Sequence, residues 1–353
     1  MKLALDQAKK NLGNTNENPS VGCIITKNDS VIAAGSTSIK GRPHAEHNAI
    51  IFSKEKLNDC EIYTTLEPCS HHGVTSPCTN KIIKKNFKKV HFSLNDPDIR
   101  SFNKSFKIFN KKKITVTKGI NYKNVKEFYR SYFKYKNDIL PFLTCKLAIS
   151  KDYYTINKKN KWITNNFSRA RGHLIRAKHD CIITSSTTII NDNPELTCRV
   201  DGLNHTSPAR IILDKKLKVS LNAKVILQAN KYKTIIFYNK SNIKKIRSLK
   251  SLNVELHKIS LDEEGNLDLY QTLLISKELG YQRILLESGT KLINSFLNKN
   301  LIDDFKLFVS DKKLGKNGKN SIKKNFKLFF KKIKFFNERV NLFGDKLITY
   351  KIK

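Results

Sequence analysis

The sequence predicts two consecutive α/β domains, and three observations carry that expectation. Short apolar runs rich in Val, Ile and Thr alternate with segments of helical periodicity along nearly the whole chain. Such alternation is what helices packed on a mostly parallel sheet require. The pattern breaks once, at "KNDILPFLTCKL" around Pro141, and then resumes. At 353 residues the chain is long enough for each half to bury its own core. The expected domains are 1–141 and 142–353.

Each element has its own signal. Residues 2–12 read as an amphipathic helix with Leu5, Ala8 and Leu12 on one face. "VGCIIT" (21–26) and "SVIAAGS" (30–36) read as strands, and "AEHNAIIFSKEKL" from Ala45 as a helix. "EIYTTL" (61–66) is a strand, a helix starts at Cys78, and "KVHFSL" (89–94) is the next strand. In the second half the strands are "FLTCKLAIS", "CIITSS", "ARIILD", "TIIFYN", "VELHKIS", "RILLES" and "DFKLFVS". Helices are expected around 167–178, 267–279 and 290–298. The segment 311–334 is Lys-rich and weakly patterned, and reads as a loop plus an exposed strand or helix. No internal repeat occurs at solenoid periods.

Composition excludes several classes. With 39% hydrophobic and 9% aromatic residues the chain is globular and not disordered. No apolar run approaches a membrane span, and the N-terminus, broken by Asp6 and two lysines, lacks the apolar segment of a signal peptide. The seven cysteines (23, 60, 69, 78, 145, 181, 198) are odd in number and form no dense framework. The expected compartment is therefore the reducing cytoplasm, with thiols free or metal-bound. The net charge of +37 raises nucleic acid as a partner. Yet only 11 of the 67 basic residues are Arg, and the lysines run through nearly every segment. Nucleic-acid readers group Arg forks and aromatics in one stripe, so neither a nucleic-acid nor a membrane partner is expected.

The motif that carries chemistry is "GRPHAEHNAI" (41–50) with "TTLEPCSHHGVTSPC" (64–78). Zinc takes thiolate and imidazole ligands, and a catalytic zinc keeps its fourth position for water. His44, Cys69 and Cys78 supply three ligands and no obvious fourth. Pro43 suits the first turn of a helix, which sets His44 at the helix N-terminus. His44 and Glu46 lie about 200° apart around an ideal helix, so both reach only a metal beyond its end. Cys78 opens the next helix, where the dipole favours a thiolate. Glu46 is then placed to carry a proton between an activated water and a leaving amine. A closed structural zinc knot, or no metal at all, is the alternative. His71 and His72 are rival ligands or pocket lining; His47 reads as packing or solvent-facing.

On these residues the first half resembles the cytidine-deaminase superfamily. The eight-residue spacer "SHHGVTSP" and "NPSVGC" (18–23) resemble the deaminase half of the bifunctional riboflavin-biosynthesis deaminase/reductases. The second half resembles their reductase half through "NKWIT" (160–164), "LIRAKHDCIITSSTTIINDNPELTCR" (174–199), "PARIILD" and "ILLESGTKLINSFL". The resemblance implies a cytidine-deaminase-like three-layer N-terminal domain and a dihydrofolate-reductase-like α/β C-terminal domain, with Zn2+ and NADPH as cofactors. It implies a polar contact of Asn18 to the substrate's pyrimidine ring. It places Ala148, Trp162, Thr188, Asp192, Lys215 and the run from Gly289 against the nicotinamide cofactor. Asn160, Arg176, Leu196, Arg199 and Glu287 are placed against the ribose phosphate. The implied substrate is 2,5-diamino-6-ribosylamino-4(3H)-pyrimidinone 5′-phosphate, a small phosphorylated pyrimidine, deaminated at the ring and then reduced at C1′ to the ribityl form. A homo-oligomer is a possible state.

Without the resemblance, the same reductase residues admit plainer readings. Gly289 lies between a strand and a helix, either offering N–H groups to a phosphate or making a tight connection. Arg176 and Arg199 are planar forks suited to a phosphate, or members of surface ion pairs. Trp162, the only tryptophan, is equally explained by core packing, Asp192 by a turn, and Lys215 by a solvated surface. Two departures stand out: Tyr153 replaces a Gly in the loop after "KLAIS", which predicts a rebuilt loop because Tyr resists positive φ, and Asn160 stands where relatives commonly have Ser. The competing functions are a zinc nucleoside or nucleic-acid deaminase with an accessory domain, and a non-enzymatic zinc-stabilised binding protein.

Overall fold

The computed structural model describes residues 1–331 and 333–353, in two compact units, Met1–Leu140 and Pro141–Lys353. Among the described residues no helix is long and apolar enough to cross a membrane.

In the first unit five strands, β1 (Gly22–Lys27), β2 (Ser30–Ser36), β3 (Glu61–Leu66), β4 (Lys89–Leu94) and β5 (Thr115–Lys118), form one sheet in the order β2-β1-β3-β4-β5. The expectation of a mostly parallel sheet fails here. β1 runs antiparallel to both β2 and β3, and only β3-β4 and β4-β5 are parallel. The reason is local: Asn28 and Asp29 both take positive φ (47° and 62°), which closes a two-residue hairpin. Inward residues Cys23, Ile25, Ile62, Val90 and Phe92 build the core with Phe109, Val125 and Tyr129. Those last three lie on Lys104–Lys111, Tyr122–Phe128 and just beyond it, elements the Lys-dense sequence did not disclose. Two expected helices are shorter than their patterns. The first is Lys2–Ala8, and the one from Ala45 ends at Phe52.

The second unit holds β6 (Phe142–Ile149), β7 (Tyr154–Asn157), β8 (Cys181–Ser185), β9 (Ala209–Leu213), β10 (Thr234–Tyr238), β11 (Glu255–Lys258), β12 (Arg283–Leu286), β13 (Asp304–Val309), β14 (Gly318–Ser321), β15 (Phe335–Asn337) and β16 (Lys346–Lys351). Nine of them form a sheet ordered β11-β10-β9-β8-β12-β6-β13-β16-β15, parallel from β11 to β13 and antiparallel at β16 and β15. After β8 the chain moves out toward β9, β10 and β11; after β12 it crosses the other way to β13. The gap between the carboxyl ends of β8 and β12 is therefore the topological switch point, where α/β sheets bind ligands. Helices lie close to expectation, at Asn166–Arg176, Leu269–Glu278 and Thr290–Asn298. The segment 311–334 contains β14, paired with β7, and the helix Lys323–Phe330; its residue 332 lies outside the described residues.

The loop with Tyr153 corrects its expectation. Tyr153 adopts φ 70°, the left-handed conformation that Tyr resists. The turn is held by the Tyr153 N–H on the Ser150 carbonyl (3.0 Å) and the Tyr154 N–H on Ser150 Oγ (2.9 Å). Asp152 ties it down further, accepting from Ser150 Oγ (2.6 Å) and the Gly315 N–H (2.8 Å). The surroundings over-determine the turn and impose the strained φ on Tyr.

Candidate functional site

Small residues set the deaminase-like centre. A Cβ on Gly35 would stand 2.2 Å from the Ala45 carbonyl oxygen, so this glycine lets the helix Ala45–Phe52 lie directly on β2. Gly41 has φ 86°, and a Cβ there would stand 2.4 Å from Asn18 Nδ2, which places Asn18 against the segment leading into His44. His44 is the N-cap of the helix, so Pro43 precedes the cap and does not open the first turn. Cys69 follows β3 by three residues, and Cys78 opens the helix Cys78–Lys84.

His44 Nδ1 lies 3.5 Å from Cys69 Sγ and 3.4 Å from Cys78 Sγ, and the three donor atoms fall within 4.8 Å of one another. Tetrahedral zinc with bonds of about 2.3 Å to sulfur and 2.0 Å to nitrogen requires an N···S separation of about 3.5 Å, so the set fits that ion. Among the described residues no fourth His, Cys, Asp or Glu joins the cluster. That is the open pattern of a catalytic site. Neither His71 nor His72 is a member: His71 Nδ1 is 2.9 Å from Ser101 Oγ, and His72 is exposed.

The helix end at Cys78 does not stabilise a thiolate on Cys78 itself, contrary to expectation. The Cys78 backbone N–H points at Cys69 Sγ (3.3 Å), so the helix end serves its neighbour. The Cys69 thiol is drawn down to about 4 by the Cys78 thiol, His44 and that N–H, and Cys78 is pushed well up by Cys69 and by burial. A bound dication would remove the remaining proton. Glu46 is 3% exposed. Burial raises its carboxyl above the ordinary range, with the Cys69 thiolate adding to the effect.

The sequence reading missed Glu67. Its carboxylate accepts from the N–H groups of Asp96 (3.3 Å), Asn103 (3.0 Å) and Ser105 (3.1 Å) and from Ser105 Oγ (2.8 Å). It thereby folds the loop that brings Ser101 to His71. His47 is engaged by Lys81 Nζ (2.7 Å), and with Arg42 and Thr75 the two line a cavity of about 160 Å³ that also reaches His44 and Cys78.

In the second unit the switch point is built from hydroxyls. Ser185 closes β8, Ser288 follows β12, and their Oγ atoms are 3.0 Å apart. Thr188 Oγ1 is 3.2 Å from Ser288 Oγ. Gly289 caps the helix Thr290–Asn298 with ordinary φ, and a Cβ there would meet no atom within 4 Å. Neither packing nor conformation demands that glycine, so the tight-connection reading has no support. An open helix N-terminus beside three hydroxyls suits a phosphate-bearing cofactor.

Arg176 and Glu287, both set against the ribose phosphate by the resemblance, meet each other. Arg176 Nε and Nη2 donate to the two Glu287 oxygens at 2.9 and 2.7 Å, and Nη1 donates to the Thr197 carbonyl at 3.0 Å. Burial pushes the Glu287 carboxyl up, but Arg176 and Lys146 outweigh it and hold it well below the usual range. Lys146 Nζ lies 3.3 Å from Glu287 and shares a face of β6 with Ala148 two residues on, a partner for Glu287 that the sequence does not announce. Arg199 is exposed and touches Thr197 Oγ1 (3.2 Å) and Glu195 (3.5 Å). Leu196 takes φ 58° and is 2% exposed, so its side chain belongs to the core and only its backbone can face a ligand. Trp162 is 53% exposed with the Arg169 guanidinium 4.9 Å from its ring centre, which excludes core packing. Asn160 and Asp192 are exposed, and Lys215 Nζ donates to the Gly265 carbonyl.

Similarity to known proteins spans both units. The cytidine and deoxycytidylate deaminase zinc-binding region matches residues 1–94, and the RibD C-terminal domain matches residues 141–342. The riboflavin biosynthesis protein RibD of Aquifex aeolicus is 33% identical, covering 97% of this chain and 96% of its own. That of Escherichia coli is 29% identical over 89% and 88% of the two chains. Among solved structures, RibD of Acinetobacter baumannii superposes with a TM-score of 0.85 at 27% identity over 99% of this chain and 97% of its own. The diaminohydroxyphosphoribosylaminopyrimidine deaminase/5-amino-6-(5-phosphoribosylamino)uracil reductase of Thermotoga maritima gives 0.83 at 29% over the same shares. With a deaminase-type metal cluster in one unit and a hydroxyl-lined switch point in the other, this chain belongs to the RibD family of riboflavin biosynthesis enzymes, which join a deaminase to a reductase.

Proposed function

We propose that residues 1–141 deaminate 2,5-diamino-6-ribosylamino-4(3H)-pyrimidinone 5′-phosphate with zinc held by His44, Cys69 and Cys78, and that residues 142–353 reduce the product with NADPH. The single observation behind the first step is the three-donor cluster with no fourth protein ligand among the described residues, beside a buried carboxyl at Glu46. When bound, zinc supplies Lewis acidity toward water, and the nicotinamide supplies a hydride. Glu46 moves the protons: its buried carboxyl beside the three donors is placed to accept one from water and pass it toward the departing ring amine. Asn18, fixed against Gly41, orients the pyrimidine. Ser101 and Glu67 hold the His71 loop in place.

For the second step, Thr188, Ser185, Ser288 and the N–H groups from Gly289 receive cofactor phosphates. Ala148 and Lys146 line the same crevice, and Trp162 and Asp192 lie along the cofactor's path. Lys215 stands at the carboxyl end of β9 to meet a 2′-phosphate. Arg199 is the freer fork for the ribose phosphate, with Asn160 and the backbone at Leu196 beside it, because the Arg176 fork faces Glu287.

The test is metal analysis with product identification, with and without NADPH. The reading requires one zinc per chain, ammonia release without NADPH, and the ribityl product only with it. Ribityl product carrying both amino groups would contradict the order, and the absence of any ammonia would contradict the first step.

A further inference from the structure

Residues 195–199 run without strand partners, yet side chains from elsewhere fix their backbone. Arg210 Nη1 donates to the Glu195 carbonyl (3.2 Å), and Ser207 Oγ receives the Cys198 N–H (3.0 Å). At Thr197 the carbonyl takes two donors, Arg176 Nη1 at 3.0 Å and His173 Nδ1 at 3.0 Å. His173 and Arg176 lie three apart on the helix Asn166–Arg176, so they share a face and reach one oxygen together. His173 Nδ1 meets both the Thr197 carbonyl (3.0 Å) and the Arg199 N–H (3.4 Å), and one nitrogen cannot donate to the first and accept from the second; the shorter contact, to an oxygen that only accepts, assigns the proton to Nδ1. The ring is half-buried, and burial followed by the neighbouring Arg176 lowers its proton affinity, consistent with a neutral imidazole. Leu196, just before, is held at φ 58°, a conformation that a buried Leu adopts only under constraint. Arg199 follows two residues later, its N–H 3.4 Å from His173 Nδ1, so the ring packs directly against the backbone that carries the Arg199 side chain without hydrogen-bonding it.

We propose that His173 is a positioning residue of the reductase. By clamping the Thr197 carbonyl it holds the turn at Leu196 and so sets Arg199 where the ribose phosphate of the substrate arrives. The inference rests on the reading that Arg199 meets that phosphate. His173 acts through the backbone and touches no reacting atom, so its loss weakens binding of the phosphorylated substrate and spares hydride transfer.

The test uses the full chain, the deaminated ribosylamino phosphate and NADPH. His173→Leu should raise KM for that substrate about tenfold, with kcat and KM for NADPH within about twofold of wild type. His173→Asn places an amide N–H where Nδ1–H stands and should restore KM. Arg199→Ala should raise KM by a similar factor, and His173→Leu added to it should cost nothing more, because the two act as one unit. If Arg199→Ala leaves KM unchanged, the phosphate reading falls and this inference with it. If Arg199→Ala raises KM while His173→Leu does not, or if the two effects multiply, His173 alone is overturned. A His173→Asn protein as impaired as His173→Leu also contradicts the clamp.

Discussion

Arg176 and Glu287 form a two-pronged ion pair, with Nε and Nη2 each donating to a separate carboxylate oxygen at 2.9 and 2.7 Å. Their side chains are only 14% and 19% exposed, and Lys146 adds a second cation at 3.3 Å. Removing the carboxylate charge strands two partly buried cations, an arrangement that costs about 3–5 kcal/mol.

Glu287→Gln should therefore lower the unfolding midpoint of the second unit and abolish most reduction, while ammonia release stays near wild type. Denaturant unfolding together with the two separate product assays checks this. A variant as stable and as active in reduction as wild type would remove the pair from the account.

Asp96 gives a pH dependence. Its carboxyl is 6% exposed and accepts from Tyr132 Oη and the Asp98 N–H, both at 3.0 Å. Burial raises it from 3.8 to about 6, against those hydrogen bonds. A raised carboxyl favours the folded state when protonated, so its contribution is complete below pH 3.8 and is lost as pH rises through about 6. A shift of about two units corresponds to about 3 kcal/mol, of which roughly half falls between pH 5 and 7.5. Asp96→Asn keeps the accepting oxygen and removes the titration. Its stability relative to wild type should rise by about 1–1.5 kcal/mol from pH 5 to 7.5. A constant difference across that range would contradict the burial effect.

Lys215 tests the nicotinamide preference. Its ammonium donates to the Gly265 carbonyl, which leaves two of three N–H bonds for a 2′-phosphate. Lys215→Ala should raise KM for NADPH about tenfold with kcat unchanged, the pattern of lost uniform binding. The NADPH/NADH ratio of kcat/KM, compared at fixed ionic strength, should fall by the same factor. An unchanged ratio places the phosphate contact elsewhere.

Much of this was legible in the sequence, for physical reasons. The central strands β8, β9, β10 and β12 of the second unit are buried on both faces, and runs such as "CIITSS" and "ARIILD" announce themselves by apolar continuity. His44, Cys69 and Cys78 were legible because metal ligation restricts residue type at each position. The sheet direction around β1 was not, since it turns on two positive φ values at Asn28 and Asp29 that many residue pairs could supply. The helices near Phe109 and Val125 were hidden because lysines dominate their exposed faces. Glu67 and His173 act on distant backbone groups, and no spacing rule connects Glu67 to Ser105 or His173 to Thr197. The lowered proton affinity of Cys69 depends on the Cys78 thiol, and then on His44 and the Cys78 N–H, groups that only the fold brings near, Cys78 lying nine positions later.

The central claim is that Glu46 shuttles protons beside a metal that it does not hold. Glu46→Gln preserves size and burial, leaves His44, Cys69 and Cys78 intact, and removes only the titrating oxygen. Zinc content and ammonia release measured on the same preparation decide the matter. The account predicts one zinc per chain with deamination lower by about two to four orders of magnitude, and reduction of the deaminated intermediate unchanged. A Glu46→Gln protein that still releases ammonia near the wild-type rate, or that loses its zinc, would contradict it.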